Sequence, residues 1–211
     1  MGRIKEYKRK AGIEVARPVY AIICEGRNQT ESKYLDHFKT RKGISVKVVK
    51  CEDTDPVAMV DKANAVIESE GLLVGEDKVF CLVDLDNDEQ RKNKIDELKK
   101  HNRHINFIIS NPSFEVWFLF HFLDNPPRLS NGQAAKRELR KYIANYTESY
   151  DVYSREAAIR NNLDVAISRS RSKKNVQNQN EHWIDDGSYP NPYTEVDTLM
   201  EELSKNYKCH Q

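Results

Sequence analysis

Residues Val19–Glu31 read VYAIICEGRNQTE, an apolar run that stops abruptly at an acid, a glycine and a polar cluster. A near-continuous hydrophobic run of this length is the pattern of a strand buried on both faces, as in a parallel sheet. Glu25 at its tip is the anomaly. Burying an uncompensated carboxylate costs several kcal/mol, so Glu25 needs a partner: a cation, a proton or a reacting group.

Three further strand patterns follow in the same half of the chain: SVKVVKC (45–51), KVFCLVDLDND (78–88) and INFIISN (105–111). Helical patterns separate them. In QTESKYLDHFKTRKG, Tyr34, Leu35 and Phe38 recur at helical spacing. In DPVAMVDKANAVIESEG, Asp55 is placed to cap, Pro56 suits the first turn, Gly71 closes, and Val57, Val60, Ala63 and Ile67 share a face. EQRKNKIDELKKH reads as a polar helix and SFEVWFLFHFL as a core helix. Alternation of buried strands with amphipathic helices implies βαβ units, hence a mainly parallel, doubly wound α/β sheet over residues 15–125. In such sheets, sites form outside the carboxyl ends of the strands, where the winding direction switches. Glu25 and the acids after Val83 lie at such ends.

Beyond the turn-rich DNPPRLSNG, residues 126–211 change character. QAAKRELRKYIANY and SREAAIRNNLDVAISRSRSKK read as basic helices, NQNEHWIDDGSYPNP as a loop, and YTEVDTLMEELSKNY as a final amphipathic helix whose Val196, Leu199, Met200 and Leu203 pack back. The expected organisation is therefore an α/β domain with a helical, partly basic C-terminal extension on the same body. Arg169, Arg171, Lys173 and Lys174 form the densest basic cluster, suited either to phosphate contacts or to a solvated helix face. RIKEYKRK near the start reads as a flexible arm.

With 211 residues the chain is long enough to bury roughly 70% of its unfolded surface in a single core. Its net charge of +1 supplies no overall field, so any anion site must come from local clustering. No apolar segment is long enough for a signal peptide or a membrane span, and the reading is a cytoplasmic protein with no membrane partner. The four cysteines show no zinc-site spacing, and Cys24 and Cys81 fall inside strands as small buried hydrophobes. No GxxxxGK[ST] motif is present, so nucleotide hydrolysis by that route would need another chain.

LVDLDND offers Asp84, Asp86 and Asp88 in alternation, and alternate residues of an extended segment point the same way. Hard cations such as Mg²⁺, or Mn²⁺ in its place, are commonly held by one or two carboxylates together with water and substrate phosphate. Glu25, Asp84 and Asp86 are the leading site residues, with Asp88 and Glu115 as further metal ligands and Glu31 and Asn111 as supporting groups. The plainer alternatives are that Asp88 caps the following helix, Glu31 sits favourably near a helix N-terminus, and Ser113 and Glu115 belong to a helix start.

IICEGRNQTESKYL, CLVDLDND and IISNPSFEVWFLFHF, in this order and spacing, resemble the RloB-like proteins, and YPNPYTEVDTLMEEL is similar to that family's closing segment. The resemblance implies a Toprim-type catalytic core. In that core the glutamate after the first strand, here Glu25, is a general acid/base, and the DxD aspartates, here Asp84 and Asp86, hold Mg²⁺ for phosphodiester chemistry. It also implies a nuclease acting on DNA or RNA, a separate ATPase partner and a role in antiphage defence, and it leaves homo-oligomerisation open. The runner-up is a non-catalytic binding or regulatory subunit of such an ATPase complex. A receiver-like phosphoacceptor is disfavoured because the first strand ends in Glu-Gly and no lysine stands at a late strand end.

Overall fold

The computed structural model describes residues 17–26, 29–39, 44–179 and 189–208. The basic arm at residues 3–10 and most of the expected loop before Tyr189 lie outside them. Four strands follow the sequence pattern closely: β1 (Val19–Glu25), β2 (Ser45–Cys51), β3 (Lys78–Asp84) and β4 (Ile105–Asn111). All pair in parallel, and a short β5 (Tyr193–Thr194) adds antiparallel to β4, giving the order β2-β1-β3-β4-β5. The chain leaves β1 for β2 on one side and later crosses to β3 on the other. The winding switch therefore falls between the ends of β1 and β3, at Glu25 and Asp84.

Alternate residues of each strand feed two cores. On one face Ala21, Ile23, Cys81 and Val83 pack with Met59, Val60 and Ala63 of α2 (Pro56–Glu70) and Ile95 of α3 (Glu89–His101). On the other, Tyr20, Ile22, Phe80 and Leu82 pack with α1 (Thr30–Asp36), α4 (Glu115–Leu119), α5 (Gly132–Leu139), α8 (Leu163–Gln179) and α9 (Val196–Lys208). Two short helices, α6 (Val152–Arg155) and α7 (Ala157–Asn161), lie between α5 and α8. The C-terminal half thus shares one core with the sheet. Among the described residues no helix is long and apolar enough to cross a membrane.

The punctuation of α2 is as its residues require. Asp55 accepts the Val57 N–H, Pro56 opens the helix, and Gly71 ends it at φ 62°. Val57, expected on the buried face, is 39% exposed; Met59 and Val66 are buried instead, because the core-facing stripe is rotated by a fraction of a turn. Gly26 has its own reason. Its N–H bonds the Cys51 carbonyl, and a Cβ there would lie 2.7 Å from that oxygen, so only glycine lets β1 and β2 close behind Glu25.

The last helix begins at Val196 rather than at Tyr193. Tyr193 and Thr194 form β5 because Ser110 and Thr194 hydroxyls bond across the pair at 2.9 Å and Glu195 takes the Ile109 N–H at 2.9 Å. The expected helix over residues 154–174 is broken at Glu156 and Asn162, which leave helical geometry.

The basic cluster on α8 makes ion pairs and hydrogen bonds within the fold. Lys174 donates to both oxygens of Asp197 at 2.7 Å, Arg171 pairs with Asp197 and Glu201, Arg169 with Asp124 and the Phe120 carbonyl, and Lys173 with Asn125. Asp197 is fully buried, so Lys174 and Arg171 tie α8 to α9, while Arg169 and Lys173 tie it to the segment that follows α4. Lys174→Met should therefore lower stability by about 2–3 kcal/mol in urea denaturation. Breaking a buried pair typically costs 3–5 kcal/mol, and Arg171, 3.8 Å from Asp197, retains part of the compensation. A loss under about 0.5 kcal/mol, the range of an ordinary surface substitution, would contradict this structural role.

Candidate active site

The carboxyl edge of the sheet opens into a cleft of about 540 Å³, lined by Glu25, Asp84, Asp86, Asp88, Arg91 and Lys136 among others. Glu25 reaches it from β1 and is 8% exposed. Its direct partner is Arg91, whose Nη2 donates to Glu25 Oε1 at 2.9 Å and to the Thr54 carbonyl at 2.8 Å, while Nε donates to the Asp84 carbonyl at 2.5 Å. The buried acid at the strand tip is thus met by a guanidinium that also ties the ends of β1, α2 and β3. Burial raises the Glu25 carboxyl above its ordinary range, and Arg91 opposes the rise.

The alternation expected of Asp84, Asp86 and Asp88 does not persist. β3 ends at Asp84, and Asp86 and Asn87 adopt left-handed backbone at φ 53° and 60°, turning the chain sharply. Asn and Asp tolerate this conformation better than most residues. Asn111 holds the turn: its Oδ1 accepts the Asn87 N–H, and its amide donates to the carbonyls of Tyr189 and Pro190. Asp86 Oδ1 accepts the Gly132 N–H at 2.8 Å and docks the start of α5 on the cleft. Asp88, expected as a metal ligand, caps α3 through the N–H groups of Gln90 and Arg91.

Behind the cleft lie two more acids. Glu31 on α1 is 2% exposed, and its Oε2 is buried without a hydrogen-bond partner among the described residues. Burial first, and then the charges of Asp84, Glu25 and Glu115, push its carboxyl well above the ordinary range. Asp84 rises likewise, through burial and the charges of Glu25 and Glu115. Glu115, expected as a ligand, has both oxygens engaged, by the Ser113 hydroxyl at 2.6 Å and the Tyr146 hydroxyl at 2.8 Å. Each of its oxygens thus already accepts one hydrogen bond, and its charge acts on Asp84 and Glu31.

Lys136, absent from the sequence reading, is the cation facing this cluster. Burial would lower its amine, but the bond to Glu148 and the charges of Glu115 and Asp84 hold it above its ordinary value. Arg91 carried a readable signal: it stands three residues after the capping Asp88, where a cation opposes the helix dipole unless an acid meets it. Lys136 carried none, because it reaches the cleft only through the docking of α5.

An all-oxygen donor set suits a hard divalent ion, and the orphaned Glu31 Oε2 marks where positive charge is wanted. Among the described residues no three acids, histidines or cysteines are already gathered in metal-holding geometry. The donors therefore fit a metal by chemistry but would need to close around it.

A family model described as RloB-like protein matches residues 20–203. The chain belongs to the RloB-like family. No curated protein and no solved structure matches it. The matched span begins at the second residue of β1 and takes in the rest of the described strands and every lining residue of the acidic cleft, so the family pattern and the site coincide along the chain.

The raised Glu31 carboxyl has a consequence for stability. Its folded pKa lies above the unfolded one, so the folded state binds the proton more tightly and stability falls as pH rises from the unfolded pKa to the folded pKa. Glu31→Gln should therefore melt higher than wild type at pH 7 without metal, by roughly 2–4 °C for each kcal/mol recovered, and converge on wild type toward pH 4. A melting-temperature difference independent of pH would show that the carboxylates do not repel one another.

Proposed function

We propose that this RloB-like protein is a divalent-metal-dependent phosphodiesterase of Toprim type that cuts nucleic acid, with Mg²⁺ or Mn²⁺ as cofactor. The observation that carries the reading is the buried Glu31 carboxylate, whose Oε2 has no hydrogen-bond partner among the described residues, beside Glu25 and Asp84, at the winding switch and behind an open polar cleft. Acids are concentrated in this way at large cost unless a cation or a reacting group is to be accommodated.

Asp84, Asp86 and Glu31 would hold the ion. When bound, it would polarise a phosphate and neutralise developing charge. Glu25, raised by burial and oriented by Arg91, would move a proton to or from the attacking or leaving oxygen. The Lys136 ammonium stands on the cleft wall, where it would stabilise negative charge on the phosphate oxygens. Asp88 supports the site by starting α3, which carries Arg91. A separate ATPase would supply nucleotide hydrolysis, and the pair would serve in antiphage defence, as the sequence resemblance implies.

One observation favours a second reading. Arg91 already compensates Glu25 without any ion, as it would in a regulatory subunit that keeps the acids but performs no cleavage. The purified chain, incubated with labelled DNA and RNA pools in Mg²⁺, Mn²⁺ or EDTA, alone and with any ATPase that co-purifies, separates the two. Cleavage in metal but not in EDTA is expected. Glu25→Gln, Asp84→Asn and Asp86→Asn should each lower the rate at least about 100-fold, the scale of losing a positioned acid/base, while keeping the wild-type circular dichroism spectrum. Asp88→Asn should lower it far less. Absence of cleavage in every metal condition, with the ATPase present, would favour the regulatory subunit.

A further inference from the structure

The acidic cleft continues at both ends. Asp88 is shared with a hollow of about 400 Å³ lined by Asn87, Lys92, Arg128 and Tyr189. Gln133 and Lys136 are shared with another of about 500 Å³, which holds Arg140, Thr147 and Ser149. The three therefore adjoin in one trough, the central cleft sharing residues with each flanking hollow, one of which holds Arg128 beside Glu89 and the other Arg140 beside Glu148.

We propose that this trough is a binding site for a nucleic-acid strand, Arg128 and Arg140 each taking a phosphate on opposite sides of the acidic cleft. The proposal rests on the phosphodiesterase reading above and adds to it how the substrate is held. An acidic centre repels a polyanion, so the binding energy must come from cations beside it; Arg91 in the cleft is committed to Glu25, which leaves the guanidiniums of Arg128 and Arg140. Both have donors to spare. Among the described residues the Arg128 side chain has no ion pair or hydrogen bond, and Arg140 uses only Nε, on the Tyr146 carbonyl at 3.1 Å. Terminal guanidinium nitrogens present two parallel donors that match a phosphate. The α8 cations, by contrast, are engaged with Asp124, Asn125, Asp197 and Glu201.

Helix α5 sets the direction on one side. Gln133, Lys136 and Arg140 follow one another at helical spacing along the wall, so a strand leaving the cleft past Lys136 next meets Arg140. Arg137 is as exposed on the same helix but does not line the trough. A strand held on both sides of the reacting phosphate is cut internally, whereas a mononucleotide would fill the cleft alone and gain nothing from either arginine.

Fluorescence anisotropy tests this apart from cleavage. Fluorescein-labelled single-stranded DNA and RNA of one sequence are titrated in EDTA, across a range of salt, with the full chain and with Arg128→Ala, Arg140→Ala, the double variant and Arg137→Ala. Each trough arginine should reduce the slope of log affinity against log salt by about 0.7, and the double variant by about 1.4. Arg137→Ala should leave it unchanged, and the better-bound strand identifies the substrate backbone. A slope altered equally by Arg137→Ala, or unaltered in the double variant, overturns the trough even if the protein cleaves. Arginine-dependent binding without cleavage in any metal keeps the trough and removes the enzymatic reading, and no binding of either strand overturns both.

Discussion

The repulsion among Glu25, Glu31, Asp84 and Glu115, brought together behind the carboxyl edge of the sheet, is the constraint around which the rest is arranged. Burial and mutual charge raise the carboxyls of Glu31 and Asp84, so a folded chain without extra cations carries strain in its own acids. Neighbouring elements answer it. Arg91 on α3 meets Glu25, Lys136 on α5 faces the cluster, and the hydroxyls of Ser113 and Tyr146 satisfy Glu115. Of these four acids, Glu31 is the one with a fully buried oxygen that has no hydrogen-bond partner among the described residues.

This explains why the C-terminal half is folded onto the sheet. α5 brings Lys136 and is fixed to the cleft by the bond from the Gly132 N–H to Asp86. The segment after α5 brings Tyr146 and Glu148, which reach Thr30 at the start of α1 and Lys136 respectively. α8 and α9 are locked together by the buried Asp197 with Lys174 and Arg171. Removing that half would leave the acids of the first half without their second cation, so both halves belong to one site as well as to one core.

Much of this was legible in the sequence because it depends on local pattern. Continuous apolar runs located β1 to β4, and Asp55, Pro56 and Gly71 bounded α2. Glu25 and Asp84 followed from their places at strand ends. What failed depends on tertiary contact or backbone hand. The Asp86–Asn87 turn is left-handed, so the alternation rule for extended chain ceased at Asp84. The pairing of Lys174 and Arg171 on α8 with the buried Asp197 of α9 could not be read from the basic composition of α8 alone. β5 has two residues, too short for any periodicity, and Lys136 became visible only once α5 was docked.

Titration of Mn²⁺ followed by electron paramagnetic resonance, on the wild-type chain and on Asp84→Asn, bears most directly on the central claim that these acids await a divalent ion. Wild type should remove Mn²⁺ from solution with saturable stoichiometry, Asp84→Asn should bind it at least about tenfold more weakly, and Mg²⁺ should compete it off. Equal Mn²⁺ binding by the two proteins, or none by wild type, would contradict the assignment of the cleft as a metal-dependent site.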